Sequence, residues 1–136
     1  MALKLDDISI NTLIGNGTAI SGDIKINGFV RIDGDIDGNV ETDGNIILSE
    51  NAKIRGNITS KSIIVGGIIL GNIHAYDNVK LLPEAVVIGD IITQKLQVEE
   101  KASFHGHCIS IRNKEEFEKE TDKYLQTKAL QEKVII

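Results

Sequence analysis

Tryptophan is absent from the 136-residue chain, proline occurs once, at Pro83, and aromatic residues make up only 4%. A binding cleft walled by aromatic side chains therefore has almost nothing to be built from. Cys108 is the only cysteine, so an internal disulfide is impossible and a reducing compartment is favoured. No apolar run approaches the roughly 20 residues of a membrane-spanning helix. The opening, Met1-Ala-Leu-Lys-Leu-Asp-Asp, lacks the apolar core of a secretory signal, so a cytoplasmic location is expected. Basic residues number 15 against 20 acidic ones. From Arg112 onward the charges cancel, and the net charge of −5 sits wholly on the preceding body. An acidic body excludes a nucleic-acid groove, because phosphate binding needs clustered Lys and Arg.

What is present is β-branched. Ile and Val supply 32 residues, and all 13 glycines lie between Gly15 and Gly106. β-branched residues interleaved with glycine favour strands and tight corners. The glycines also mark a repeat. Gly-(Asp/Asn)-(Ile/Val) recurs at Gly22, Gly38, Gly56, Gly71 and Gly89, with a degenerate copy at Gly106-His107-Cys108. The intervals are 16, 18, 15, 18 and 17 residues.

Aligned on those glycines, apolar columns appear. Two residues after each Gly stand Ile24, Val40, Ile58, Ile73, Ile91 and Cys108, and two before stand Ile20, Ile36, Ile54, Ile69, Val87 and Phe104. A third column, eight after, reads Val30, Ile46, Ile64 and Val79; a fourth, ten after, reads Ile32, Leu48, Gly66 and Leu81. Leu96 and Val98 continue these two columns one residue early, as a one-residue deletion in the Gly89 repeat requires. Repeats of about 17 residues make three short strands each, with corners at which Gly or Asn takes φ > 0. Stacked turns pair each strand with its equivalents above and below, since one turn cannot bury its own apolar set. The expected fold is an all-β, three-sided parallel β-helix of about six rungs over residues 12–111. The uneven intervals favour the right-handed form, and Pro83 belongs at a corner.

Residues 1–11 read as a flank that is flexible or forms an edge strand, since Ile8 and Ile10 alternate as a strand would. Residues 112–136 change period and read as a short charged helix or a disordered tail. Asn113 is a candidate N-cap with Glu116 as its capping-box partner, and Glu115 with Lys119 forms an i,i+4 pair. Phe117, Thr121, Tyr124, Leu125 and Lys128 share a narrow face, which suits a helix that caps the last rung or frays in solvent.

The Gly-(Asp/Asn)-(Ile/Val) rungs, the start Leu13-Ile14-Gly15-Asn16-Gly17-Thr18 and the close Ala102-Ser103-Phe104-His105-Gly106-His107-Cys108 together resemble bactofilins, bacterial polymer-forming proteins. The resemblance covers residues 12–111. It implies a right-handed β-helix whose ends stack into filaments without nucleotide, joined like end to like end. It also implies a cytoskeletal scaffold, often at the inner membrane, that places cell-wall machinery and sets cell shape. Two departures stand out. Neither end carries the family's proline-rich flank, and Ala2-Leu3-Lys4-Leu5 is a poor version of its apolar membrane-targeting peptide, so direct membrane binding is not expected.

A β-helix exposes unpaired strand edges at both ends, which must be capped or used. The expected C-terminal contact comprises Phe104, Gly106, Cys108, Ile109 and Ile111; the N-terminal one comprises Ile10, Leu13, Ile14 and Ile20. Phe104, the one aromatic in its column, either plugs the core or anchors the joint, where the resemblance places it. The expected partners are further copies of the chain, and beyond them cell-wall or inner-membrane proteins.

Enzyme readings fare poorly. Of the histidines, His74, His105 and His107, only the last two share a face, and all read better as surface residues than as zinc ligands. No interval leaves room for an acyltransferase loop. Asp33, Asp35 and Asp37 read as a solvated stripe, and Cys108 as a small buried apolar residue. No cofactor, metal or catalytic residue is expected. The alternative to a scaffold is a non-polymerising adaptor that binds one protein through a β-face or the C-terminal helix.

Overall fold

The computed structural model describes residues 11–111, 117–119 and 121–123. The glycine repeat sets its geometry. At Gly56 φ is +155, and a Cβ there would overlap the carbonyl oxygen of Gly38 one turn above. At Gly89 φ is +148, and the overlap would be with Gly71. From Gly38 to Gly106 the corner thus needs glycine both for its backbone angle and for the close approach of the turn above, whereas at Gly22 only the angle demands it. Asparagine does not share the role expected for it, since Lys101 is the one non-glycine residue with positive φ among the described residues.

Between corners run short parallel strands. One side of the solenoid is a six-stranded sheet of β2 (Ala19–Ser21), β5 (Asp35–Asp37), β8 (Lys53–Arg55), β10 (Ile68–Leu70), β12 (Val86–Ile88) and β14 (Ser103–His105). A nine-stranded sheet forms the other two sides. It comprises β1 (Thr12–Ile14), β3 (Ile24–Ile26), β4 (Val30–Ile32), β6 (Val40–Thr42), β7 (Asn45–Leu48), β9 (Ile58–Val65), β11 (Ile73–Leu81), β13 (Ile91–Val98) and β15 (Cys108–Ser110). In β9, β11 and β13 the two sides merge into one bent strand. The result is an all-β parallel solenoid of about six turns with one short C-terminal helix, as the repeat requires.

Two apolar columns fall in the register read from the sequence. Ile20, Ile36, Ile54, Ile69, Val87 and Phe104 pair in succession, as do Ile24, Val40, Ile58, Ile73, Ile91 and Cys108. In the middle turns Ile54, Ile58, Ile69, Ile73, Val87 and Ile91 are fully buried, each worth about 1.5–3 kcal/mol of burial. The third and fourth columns differ at one turn. Ile63, not Ile64, stands between Ile46 and Val79, and Val65, not Gly66, between Leu48 and Leu81. Both early residues follow from the corner before the third side. It is shorter in β9 and β13, and β11 carries an irregularity between Ala75 and Asn78. Two turns, not one, are therefore short by a residue. Pro83 does sit in a corner turn, closed by the Ala85 N–H donating to the Leu82 carbonyl at 2.9 Å.

The helix contains Phe117–Lys119 and Thr121–Lys123 in its described part. That described part lies beside β11 and not across the last turn, since Phe117 meets Tyr76 edge to face, centroids 6.0 Å apart at 71°. Phe117 and Thr121 are the half-buried positions, as the expected face requires, while Glu118, Lys119, Asp122 and Lys123 are exposed. The rest of that face, and Asn113, Glu115 and Glu116, lie outside the described residues.

Candidate functional site

Among the described residues, this fold leaves strand edges unpaired at its two ends. In the middle, polar groups at the glycine corner are matched turn by turn. The Asn39 N–H donates to Asp23 Oδ1 at 2.9 Å, Asn57 N–H to Asn39 Oδ1 at 2.8 Å, and Asn72 N–H to Asn57 Oδ1 at 3.1 Å. The series continues with Asp90 N–H to Asn72 Oδ1 at 2.8 Å and His107 N–H to Asp90 Oδ1 at 3.0 Å. Each Asp or Asn side chain therefore bonds the backbone of the turn below it. The sequence pattern suggests a corner role for the asparagines and does not by itself reveal this ladder; the signal for it is that only a stacked column has use for an amide or carboxylate oxygen at the same position in five turns. The ladder stops at His107, whose Nδ1 lies 3.5 Å from Asp90 Oδ1 and which offers no such oxygen onward.

At the N-terminal end, β2 and β3 each pair on one side only among the described residues. Ile20, Ile24 and Ile26 are half-buried there, packed against the core from one side. Leu13 is 62% exposed, whereas Ile14 is buried at 7%. Ile10 lies outside the described residues. The last described residue before β1 is tied down: the Asn11 N–H donates to the Phe29 carbonyl at 2.8 Å, and Asn11 Oδ1 accepts from the Phe29 N–H at 3.3 Å.

At the C-terminal end, β14 and β15 are likewise edges. Phe104 packs against the core yet stays half-buried, and Ile109 is half-buried. Gly106 is exposed. Cys108 stands in the Ile91 column as expected but is exposed, not buried, because among the described residues no turn lies below it. Contact with the turn above still desolvates its thiol and pushes the thiol pKa up, away from the nucleophilic thiolate. Ile111 is buried at 3%, its N–H donating to the Thr93 carbonyl at 2.9 Å, which removes it from the open edge. On the third side Val98 is 49% exposed and Leu96 half-buried. Phe104 and Cys108 thus stand in inward columns at the open end of the last turn, with Gly106 at the corner between them, while Ile109 alternates outward in register with Ile92.

The remaining candidates separate. His105 and His107 are exposed, but His74 is buried at 5%, contrary to the surface position expected of it. It alternates outward from Ile73, as Ile92 does from Ile91, and both are buried, so the outer side of the sheet is covered at this point. Among the described residues, no three His, Cys, Asp or Glu side chains converge on a common metal position. The acidic stripe is answered from the next turn, since Asp35 pairs in register with Lys53 and Asp37 with Arg55. Arg31 Nε lies 3.2 Å from Asp33 Oδ1.

Open apolar ends on a stacked-strand rod are the feature to compare with known proteins. The family model for bactofilins, described as polymer-forming cytoskeletal, matches residues 12–109. The chain belongs to the bactofilin family. Bactofilin BacP of Myxococcus xanthus is 29% identical over 96 residues, covering 71% of this chain and 40% of BacP. The chain therefore spans less than half the length of that relative. Bactofilin BacO of the same organism is 28% identical over 97 residues, covering 71% of this chain and 77% of BacO. A Thermus thermophilus bactofilin, solved by cryo-EM as double helical filaments, superposes with a TM-score of 0.66 at 26% identity, over 74% of this chain and 99% of that one. Bactofilins are structural rather than enzymatic proteins, in keeping with the non-catalytic reading of the histidines and Cys108. Among the described residues, no helix is long and apolar enough to cross a membrane.

Proposed function

We propose that this bactofilin assembles end to end, without nucleotide, into cytoplasmic filaments that scaffold cell-wall machinery and help set cell shape. The observation that carries the reading is the contrast along one column. Ile54 and Ile69 are fully buried, while Ile20 and Phe104, at its two ends, are left half-buried beside unpaired strand edges. A second copy stacked on either end would continue the backbone ladder and bury the apolar residues that now lack a neighbour. The joint needs no bound nucleotide, because backbone hydrogen bonds and apolar contact are both supplied by the chain. The filament form of the Thermus bactofilin, which this chain matches at 26% identity, supports assembly, including the winding of two strands around one another.

In this reading Phe104, Gly106, Cys108 and Ile109 form the C-terminal contact, and Leu13 and Ile20 lie at the N-terminal one. Phe104 acts as the anchor, an aromatic near the centre of a contact that excludes water. Phe104→Arg puts a charge into that contact. The expected outcome is an unchanged β-sheet circular-dichroism signal with filaments lost in electron micrographs. Filaments persisting in the folded variant would remove Phe104 from the joint.

A further inference from the structure

Away from the ends, one outer face carries an apolar block that folding leaves uncovered. On the six-stranded sheet Ile68 and Leu70 of β10 are 36% and 37% exposed, and Ile88 of β12 is 49% exposed. Val86, half-buried, completes a two-by-two array, since Ile68 pairs with Val86 and Leu70 with Ile88. Three of the five large apolar side chains exposed among the described residues are in this block; Leu13 and Val98 lie elsewhere. The adjoining rows on the same face are Lys53 with Arg55 and Asp35 with Asp37, paired with each other in register. The face is thus electrically neutral on a chain of net charge −5. Two copies of an acidic rod repel each other least where the local charge cancels.

We propose that this block is the lateral contact through which two filaments of the chain lie against one another. The inference rests on the end-to-end reading above and assigns a face to the second strand. The occupant is a second copy because of the neutral face and the way assembly multiplies the block. End-to-end stacking presents it on each subunit, on the order of 30 Å apart along the rod for six strand spacings. Four side chains fall well short of the ~1,200 Å² that a stable dimer buries. Single chains therefore do not pair through this face. A filament pairs because many weak contacts close together once the first has formed.

The test is mass per unit length of filaments by scanning transmission electron microscopy, for wild type and for the Leu70→Glu, Ile88→Lys double variant. The two positions face outward in register, so the introduced charges neutralise each other and the turn stays folded. Wild type is expected to form paired filaments, and the variant filaments of half that mass per length. Should the double variant not fold, Ile88→Gln alone, at the most exposed position, carries the same comparison. An unchanged mass per length in the folded variant overturns the assignment. Single filaments from wild type overturn lateral pairing while leaving end-to-end assembly intact. If such single filaments pellet with phospholipid vesicles and the variant does not, the face belongs to a membrane and the inference fails. No filaments from wild type would overturn the reading beneath it.

Discussion

Ile69 and Phe104 occupy the same column of the solenoid, two turns apart, yet one is fully buried and the other half-buried. The same holds for Ile91 and Cys108 one column over. Local sequence does not separate the members of these pairs, since both sit at the same offset from a corner glycine. What differs is whether a turn lies below. In a solenoid burial is supplied by neighbours, so the last turns are unfinished versions of the middle ones. Assembly would finish them with the same interactions that fold the chain.

That comparison can be broken most forcefully at the glycine column. Gly71→Ala places a methyl group against the carbonyl of Gly56 at φ +156 and should cost more than about 3 kcal/mol. Gly22→Ala, at φ +128 with open space beyond it, should cost only about 1 kcal/mol. Denaturant melts of the two variants measure the difference, and equal costs would mean that stacking does not demand glycine. Next in size is the core column. Ile69→Ala should destabilise by about 2–5 kcal/mol and Ile20→Ala by less than half of that, both measured in the Phe104→Arg background to keep the chain unassembled.

The hydrogen-bond ladder offers a smaller contrast. Asn57→Ala removes the acceptor of the partly buried Asn72 N–H and should cost about 1–2 kcal/mol. Asp23→Ala removes the acceptor of Asn39 at the exposed first corner and should cost about 0.5 kcal/mol. Matched melts in which Asp23→Ala proves the costlier would contradict a ladder strongest in the middle. Of similar size is Phe117→Ala, which loses the edge-to-face contact with Tyr76 for about 1 kcal/mol. Its readout is a weakened near-ultraviolet tyrosine signal with an unchanged β-sheet spectrum.

The columns beside the corner glycine were legible in the sequence because Gly-(Asp/Asn) fixes the phase of the strands on either side. The columns on the third side were legible only in part. Ile63 and Ile64 are equally apolar, and the length of the corner before them decides which one turns inward. Cys108 was legible as a column member but not as an exposed one, because exposure depends on the turn missing below it. His74 was misplaced for the opposite reason. Its outward position follows from alternation, while its burial depends on tertiary cover of the outer side of the sheet, which alternation does not encode. The helix showed its apolar face through Phe117 and Thr121, but its place beside Tyr76 is a long-range contact that no local pattern encodes.

The central claim, that unfinished end turns make this bactofilin a self-stacking rod, is tested most directly by negative-stain electron microscopy of the purified chain in plain buffer, with no nucleotide or metal added. The account predicts thin unbranched filaments of variable length. Discrete particles of uniform size would contradict it.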